Sequence, residues 1–386
     1  MKLNEYFERI EKEVKEAYVI ANEARKAGVD PVSEVEVPMA NSLAERVVGL
    51  ISVLYPQAYD KRIVDRILEL EKEYGSLEAA VALKIAEEIA KEKFCKFESH
   101  VQSMEAGIRI AIAYLTLGYV SSPIEGFIQL KVKKTLDGNG EFLAPYYSGP
   151  IRSAGGTEAG FSLVIVDYLR ELFGYAKYDP SSDEIKRGVA ECYEYHERIT
   201  NLQYLPSEAE LEFLMKNIPI QLTGDPSEDK EVYNYKDLPR IETNFIRSGF
   251  CLVMGEGMAQ KAPKILRRVT KLRAQGFKLN GWDWLDEFVA LQKKIKENKK
   301  VGSSRSGATY MQDLVAGRPV FAHPSVSGAF RLRYGRARNT GYSTLAVHPA
   351  TMGITDGFIA IGTQLKIEKP TKGCTCASCD TIMGPI

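Results

Sequence analysis

Four arginines, Arg331, Arg333, Arg336 and Arg338, fall within eight residues in the string Phe-Arg-Leu-Arg-Tyr-Gly-Arg-Ala-Arg. Each guanidinium is a planar fork of donors that matches the oxygens of a phosphate. On a strand, Arg331 and Arg333 share a face opposite Leu332, and beyond Gly335 the pair Arg336 and Arg338 shares a face again. No acidic residue occurs between Asp313 and Asp356, so the row has no carboxylate close in sequence. The chemistry offered is phosphate or nucleic-acid binding. Pairing with distant carboxylates is the competing arrangement.

A second candidate is the string Tyr146-Tyr147-Ser148-Gly149-Pro150-Ile151-Arg152-Ser153-Ala154-Gly155-Gly156-Thr157. Small residues let a backbone approach a ligand, and a following helix start offers free N–H groups to an anion. Arg152 adds charge, and the two tyrosines offer stacking surfaces. The string lacks the Gly-Lys-Ser/Thr ending of a P-loop, and a purely structural turn with close helix packing is an equal reading. Gly302-Ser303-Ser304-Arg305-Ser306-Gly307 is a second basic loop, suited to a linker, a nucleic-acid contact through Arg305, or both. Gly255-Glu256-Gly257 lacks the spacing of a KH-type GXXG loop.

Cys374, Cys376 and Cys379 invite a zinc reading, but a closed site needs a fourth ligand, and His348 lies far upstream. The four histidines form no cluster, and no nucleophile elbow or HExxH occurs. No Asp-x-Asp occurs either, whereas two-metal nucleotidyl transfer needs carboxylates converging on the ions. The sequence therefore names no catalytic residue.

The elements that must position these groups change in texture along the 386 residues, a length that suggests several domains. Helical periodicity dominates the first 120 positions. Helices are expected over 5–27, with Asn4 as a cap and Gly28 as the stop, then near 41–54 and 60–74. A long helix after a Ser76 cap and another over about 101–117 follow. From Pro123 a strand at 128–132 meets the turn Asp137-Gly138-Asn139-Gly140 and returns as a hairpin. Helices are expected at 157–173, 181–200 and 207–217, then short strands between 219 and 248 and an apolar strand from Gly249 to Gly257. A basic helix at 259–275 and one opened by Trp282 and Trp284 come next. From Val301 onward short apolar runs between Gly, Pro, Ser and Thr predict a β-rich domain. The expected fold is α+β and multidomain: a helical bundle over 1–120, an α+β region over 121–300, and a β-rich part over 301–386.

Net charge is zero, but its distribution is not even. Residues 181–237 hold 13 acidic and 6 basic residues, and residues 261–305 hold 13 basic and 4 acidic. A basic block favours phosphate backbones through counterion release, although a lone lysine-rich helix face is often only solvated. The opening residues have no apolar h-region and no run reaches the roughly 18 apolar residues of a membrane span, so a cytoplasmic protein without membrane contact is expected. The abrupt last residues, Asp-Thr-Ile-Met-Gly-Pro-Ile, suggest a fragment boundary.

Three long strings carry a resemblance: PYYSGPIRSAGGTEAGFSLVIVDYLRELF, TNLQYLPSEAELEFLMKNIPIQLTGDP and GRPVFAHPSVSGAFRLRYGRARNTGYSTLAVHPATM. They resemble the N-terminal third of the large subunit of the archaeal family-D DNA polymerase. The resemblance implies a DNA-directed DNA polymerase that takes a primer-template and uses Mg²⁺. It implies a heterodimer with a small exonuclease subunit, a sliding clamp engaged through parts not present here, and zinc somewhere in the large subunit. It also implies KH-like modules between 123 and 275 and the start of a double-psi β-barrel near Val301. The family's catalytic aspartates lie in an Asn-x-Asp-Gly-Asp type motif that this sequence lacks, so no catalytic role is carried over. Rival readings are a stand-alone nucleic-acid-binding protein and, more remotely, a phosphate-handling enzyme using the loop at 148–157.

Overall fold

The computed structural model describes residues 3–28, 40–301, 330–333, 364–367 and 376–377. The chain divides into two compact units, Met1–Pro38 with Ser306–Ile386, and Met39–Arg305. In the first unit, α1 spans Leu3–Lys26, so Asn4 lies within the helix and does not cap it. Gly28, at φ +80°, ends it as expected.

The second unit begins with helices. Ser42 caps α2 (Leu43–Ser52), Asp60 caps α3 (Lys61–Tyr74), and Ser99 caps α5 (His100–Leu115). The helix between them, α4 (Ala79–Ala90), starts later than expected. Ser76 does not cap it: its hydroxyl donates to Glu71, and Tyr114 Oη accepts from Leu77 N while donating to the same carboxylate. That knot leaves Leu77 at φ +62° and delays the helix. Helices α4 and α5 pack so closely that a Cβ on Gly107 would stand 2.6 Å from the Ala86 carbonyl.

Arg109 of α5 joins helices to sheet. Buried, it donates to the carbonyls of Pro123 (2.7 Å), Phe127 (2.6 Å) and Ile128 (2.5 Å). It thereby fixes the short π-turn Ser122–Gly126 from which β1 (Phe127–Lys134) departs. The hairpin forms as the Asp-Gly signal predicts: Gly138 takes φ +74° and Asp137 accepts from Asn139 N. Strand β2 (Glu141–Tyr147) pairs antiparallel with β1 and parallel with the two-residue β3 (Thr223–Gly224). It is buried on both faces. Leu143 and Tyr147 join the main core, while Phe142, Ala144 and Tyr146 pack with Tyr178 on the other side. One main core of buried residues runs from Ala44 to Phe288, across the expected boundary at 120.

Next come α6 (Gly156–Leu172), α7 (Ser182–Arg198) and α8 (Glu208–Asn217), the last two each opened by a Ser/Glu capping box. Between 219 and 248 the expected strands reduce, among the described residues, to β3 and one bridge between Glu231 and Phe245. The rest of that loop is organised by buried arginines. Arg247 holds Glu191 through Nε (3.0 Å) and a terminal nitrogen (2.6 Å), and Arg187 holds the same carboxylate at 3.1 Å while donating to the carbonyls of Tyr235 and Thr243. Burial pushes the Glu191 carboxyl upward, but Arg247 and Arg187 prevail and hold it below the usual range.

The apolar strand expected from Gly249 to Gly257 is helical. A short α9 (Ser248–Leu252) runs into a π-turn, Val253–Ala259, and then into α10 (Gln260–Ala274). Every residue of α9 and the π-turn is buried, and a stretch buried all round, with Glu256 its one charged residue, carries no period to separate strand from helix. Trp282 closes the following turn by donating from Nε1 to the buried Asp167 carboxylate at 2.9 Å, and α11 covers Leu285–Val301. In the first unit β4 (Phe330–Arg333), β5 (Gln364–Ile367) and β6 (Cys376–Ala377) form an antiparallel sheet, and the rest of the part expected to be β-rich lies outside the described residues. No described helix is long and apolar enough to cross a membrane.

Two outcomes follow from the buried charges. Glu191→Gln leaves two buried guanidiniums without their carboxylate and should cost about 3–5 kcal/mol in urea unfolding. Lys133 of β1 is driven down to about 8 from its ordinary 10.5, first by burial, while Glu242 opposes the shift. Between those values the unfolded chain holds the extra proton, so stability should rise with pH across the window. Lys133→Met should remove that part of the rise, read as the difference between two pH–stability profiles.

Candidate nucleic-acid interface

The glycine-rich string folds as a 3-10 turn, Gly149–Ala154, and hands over to α6 at Gly155, which takes φ +79°. Its small residues serve a close crossing. A Cβ on Gly156 would stand 2.2 Å from the carbonyl oxygen of Glu256 in the π-turn. One on Gly160 would meet the backbone of Gly257 at 3.0 Å, and one on Gly257 would meet Gly160 N at 3.0 Å. Thus α6 and the π-turn touch backbone to backbone.

Arg152 ties the same junction. Its Nε and a terminal nitrogen hold the Glu256 carboxylate at 2.9 and 2.8 Å, and Gln203 N donates to that carboxylate at 3.0 Å. The two side chains are 9% and 7% exposed, so Arg152 sits in a buried pair and presents no open fork to a phosphate. The tyrosines expected to stack on a ligand are also inside. Tyr147 Oη pairs with Ser162 at 2.8 Å, and Tyr146 lies beneath the ammonium groups of Lys131 and Lys133. Of the two readings left open for this string, the packed turn accounts for these contacts.

What the junction presents is α10. Ala262, Ile265, Val269 and Leu272 recur at helical spacing and are buried. The opposite face exposes Lys264, Arg267, Thr270 and Lys271. Three cations on the helix are paired: Arg268 with Glu158 (2.8 Å), Lys271 with Glu78 (2.7 Å), and Arg273 with Asp283 (2.7 Å). Lys264 and Arg267 have no ion pair among the described residues, and Arg267 only bonds back to the Pro263 carbonyl. The acidic block does not neutralise this helix. Its Glu184, Glu191 and Glu194 are engaged by Arg240, Arg247 and Arg198. Lys264 and Arg267 were legible in the sequence only as part of a basic segment. Their position opposite the apolar stripe singles them out.

Arg331 and Arg333 both lie on β4, where the register sets Arg331 opposite Lys366 and Arg333 opposite Gln364. Cys376 lies on β6, also opposite Lys366 on β5. Arg305, Arg336, Arg338, Cys374 and Cys379 lie outside the described residues. Among the described residues no three carboxylate, imidazole or thiol groups converge to hold a metal ion.

Fold and surface define an α+β scaffold that carries a cationic helix face on a glycine-tight junction. The sequence matches the family described as DNA polymerase II large subunit DP2, N-terminal, over residues 5–291. It matches that subunit's central domain over residues 294–386. The chain belongs to the DNA polymerase II large subunit family. It is 42% identical over 99% of its length to the DNA polymerase II large subunit of Nanoarchaeum equitans, covering 33% of that protein. It is 44% identical to the one from Methanothermobacter thermautotrophicus, covering 99% of this chain and 34% of the relative. With the Pyrococcus horikoshii subunit the identity is 40%, over 100% of this chain and 28% of the relative. The chain thus spans about a third of the length of these relatives.

The buried pair gives a direct check on Arg152. Arg152→Met should destabilise the chain by about 3–5 kcal/mol, and adding Glu256→Met should restore much of the loss. A loss of DNA affinity in Arg152→Met with unfolding unchanged would instead place Arg152 on the ligand.

Proposed function

We propose that this chain is the N-terminal part of the large subunit of a replicative DNA-directed DNA polymerase, and that its own task is to hold primer-template by the phosphate backbone. The observation that carries this reading is the pair Lys264 and Arg267, exposed on α10 and without ion pairs among the described residues. Phosphate contacts fix register and orientation without reading sequence, which suits an enzyme that must accept any template. Arg331, Arg333, Arg336, Arg338 and Arg305 extend the same chemistry along the chain.

In the whole enzyme, on this reading, a primer 3′-OH would attack the α-phosphate of a deoxynucleoside triphosphate, the α–β phosphoanhydride bond would break and pyrophosphate would leave, with Mg²⁺ supplying charge stabilisation. The converging carboxylates that this reaction needs belong, on this reading, to parts of the subunit that this chain does not cover. The chain's residues bind and orient. The partners proposed for the whole enzyme are the small exonuclease subunit, forming a heterodimer, and a sliding clamp. Zinc at Cys374, Cys376 and Cys379, the KH-like character of residues 121–300, the beginning of a double-psi barrel in 301–386 and a cytoplasmic setting belong to the same proposal.

The test is a salt titration of primer-template binding. Lys264→Ala with Arg267→Ala should weaken binding equally on unrelated sequences and lower the salt slope by about 1 per contact removed. Alanine at Arg331, Arg333, Arg336 and Arg338 should flatten the slope further. The chain alone should extend no primer. Slopes unchanged in both variants, or extension by this chain, would overturn the assignment.

A further inference from the structure

Between β3 and α9, residues 225–247 form a long loop with little regular structure. Val232 N donates to the Asn244 carbonyl at 2.9 Å and Ile246 N to the Lys230 carbonyl at 2.8 Å. Two stretches thus run antiparallel, with Glu231 opposite Phe245. Val232 is buried, so Glu231 and Tyr233 on either side of it face outward. Three aromatic side chains of this loop are open to solvent: Tyr233 is 69% exposed, Tyr235 37% and Phe245 36%.

The backbone beneath these rings is fixed from inside. Arg187, fully buried, donates to the carbonyls of Tyr235, Thr243 and Phe245 at 3.1, 3.1 and 3.4 Å. Glu194 accepts from Tyr233 N at 3.1 Å, and Arg198 donates to the Glu231 carbonyl at 2.9 Å. The Arg198 guanidinium also lies 4.0 Å from the centre of the Tyr233 ring and covers one side of it. Asp237 and Asn244 exchange hydrogen bonds across the loop at 2.9 and 2.8 Å. Tyr235 and Asp237 take φ +57° and +56°, a left-handed conformation that costs a side-chain-bearing residue energy. Strain of this kind, held in place by surrounding groups, concentrates in segments that engage ligands. Here it fills no part of the core, because the rings it positions point outward.

The charges around the rings decide what a partner carries. Glu231 is paired with Lys236 at 2.6 Å. Asp229 and Asp237 are exposed and have no ion pair among the described residues. Lys230 turns its ammonium to the Arg198 carbonyl at 3.0 Å. A rim with open carboxylates repels the phosphates of a nucleic acid and attracts a cation. Arginine meets both halves of the surface, since its guanidinium pairs with carboxylates and stacks on aromatic rings. Tyrosine and arginine are also the residues on which protein interfaces concentrate their binding energy.

We propose that Tyr233, Tyr235 and Phe245, with Asp229 and Asp237 at their rim, form the docking surface for an arginine-bearing segment of a second protein in the polymerase assembly. The surface uses no residue of α10 and binds no nucleic acid. It rests on the polymerase reading only for there being an assembly. Because the rings are already held, the partner meets them without first ordering the loop.

The experiment is hydroxyl-radical footprinting read by mass spectrometry. It is run on this chain, on the full-length large subunit, and on that subunit assembled with its protein partner. Tyr233, Tyr235 and Phe245 should be modified in the first two and protected several-fold in the third. Unchanged modification in the assembly overturns the proposal. Protection already present in the full-length subunit alone, or produced by primer-template in place of the partner, overturns it too. Tyr233→Ala with Phe245→Ala should weaken partner binding about tenfold, as loss of aromatic anchors does, and leave Tm unchanged. Tyr233→Ala alone, at the most exposed of the three positions, serves if the double variant unfolds. Asp229→Lys should weaken the partner more at low salt than at high salt, because exposed charges are screened. Partner affinity equal to wild type in all these variants overturns the proposal. The salt slope of primer-template binding reports on Lys264 and Arg267 and should be unmoved by the ring variants. A lost phosphate-holding role and a lost docking surface are therefore read separately.

Discussion

The arrangement depends on the backbone contact between α6 and the π-turn before α10. Gly156 and Gly160 on one side and Gly257 on the other let the two segments meet without intervening side chains. Such a contact fixes the direction of α10 to within the slack of a van der Waals gap, because close-packed interiors yield little. The buried pair between Arg152 and Glu256 closes the same junction, and Gln203 N adds a donor to the carboxylate. A pair of this kind contributes little net stability over an apolar replacement, but losing one partner is expensive. Its effect is therefore geometric: it selects one docking of the π-turn over near alternatives.

Charge in this unit is divided between inside and outside on a consistent principle. Buried carboxylates are met by arginine forks, as Glu191 is by Arg247 and Arg187, and Glu184 by Arg240. The forks also donate to loop carbonyls, which lets a long loop lie against α7 with few strands. Lysines stay mostly at the surface. Lys133 is an exception, and burial moves it toward neutrality. The acidic run thus places Glu184, Glu191 and Glu194 inside the fold against arginines, while the basic helix α10 keeps Lys264 and Arg267 on its face.

Legibility in the sequence followed the physics of each signal. Helices α2, α3 and α10 were placed within a few residues because one face of each is polar and an end of each carries Ser, Asp or Gly. The hairpin followed from Asp137-Gly138. The stretch from Gly249 to Gly257 failed because it is buried all round and has no polar face to set a period. Arg152 looked available because its partner lies 104 residues away, a separation over which sequence gives no distance. The same limit hid the pairing of Lys271 with Glu78, 193 residues apart, and so hid which cations on α10 remain unpaired.

On the proposed reading, this division bears on what a surface for nucleic-acid phosphates must do. A surface that reads phosphates needs cations whose charge is not already answered, yet a helix bearing six of them would repel itself and its neighbours. On α10, pairing Arg268, Lys271 and Arg273 across to α6, the N-cap of α4 and the turn before α11 stabilises the helix and docks it. Lys264 and Arg267 remain directed at solvent. The paired cations hold the helix in place so that the unpaired ones can meet a ligand without first being ordered, which lowers the entropic cost of association. Position along the helix, rather than total charge, decides which cations are left open to a ligand and which hold the helix.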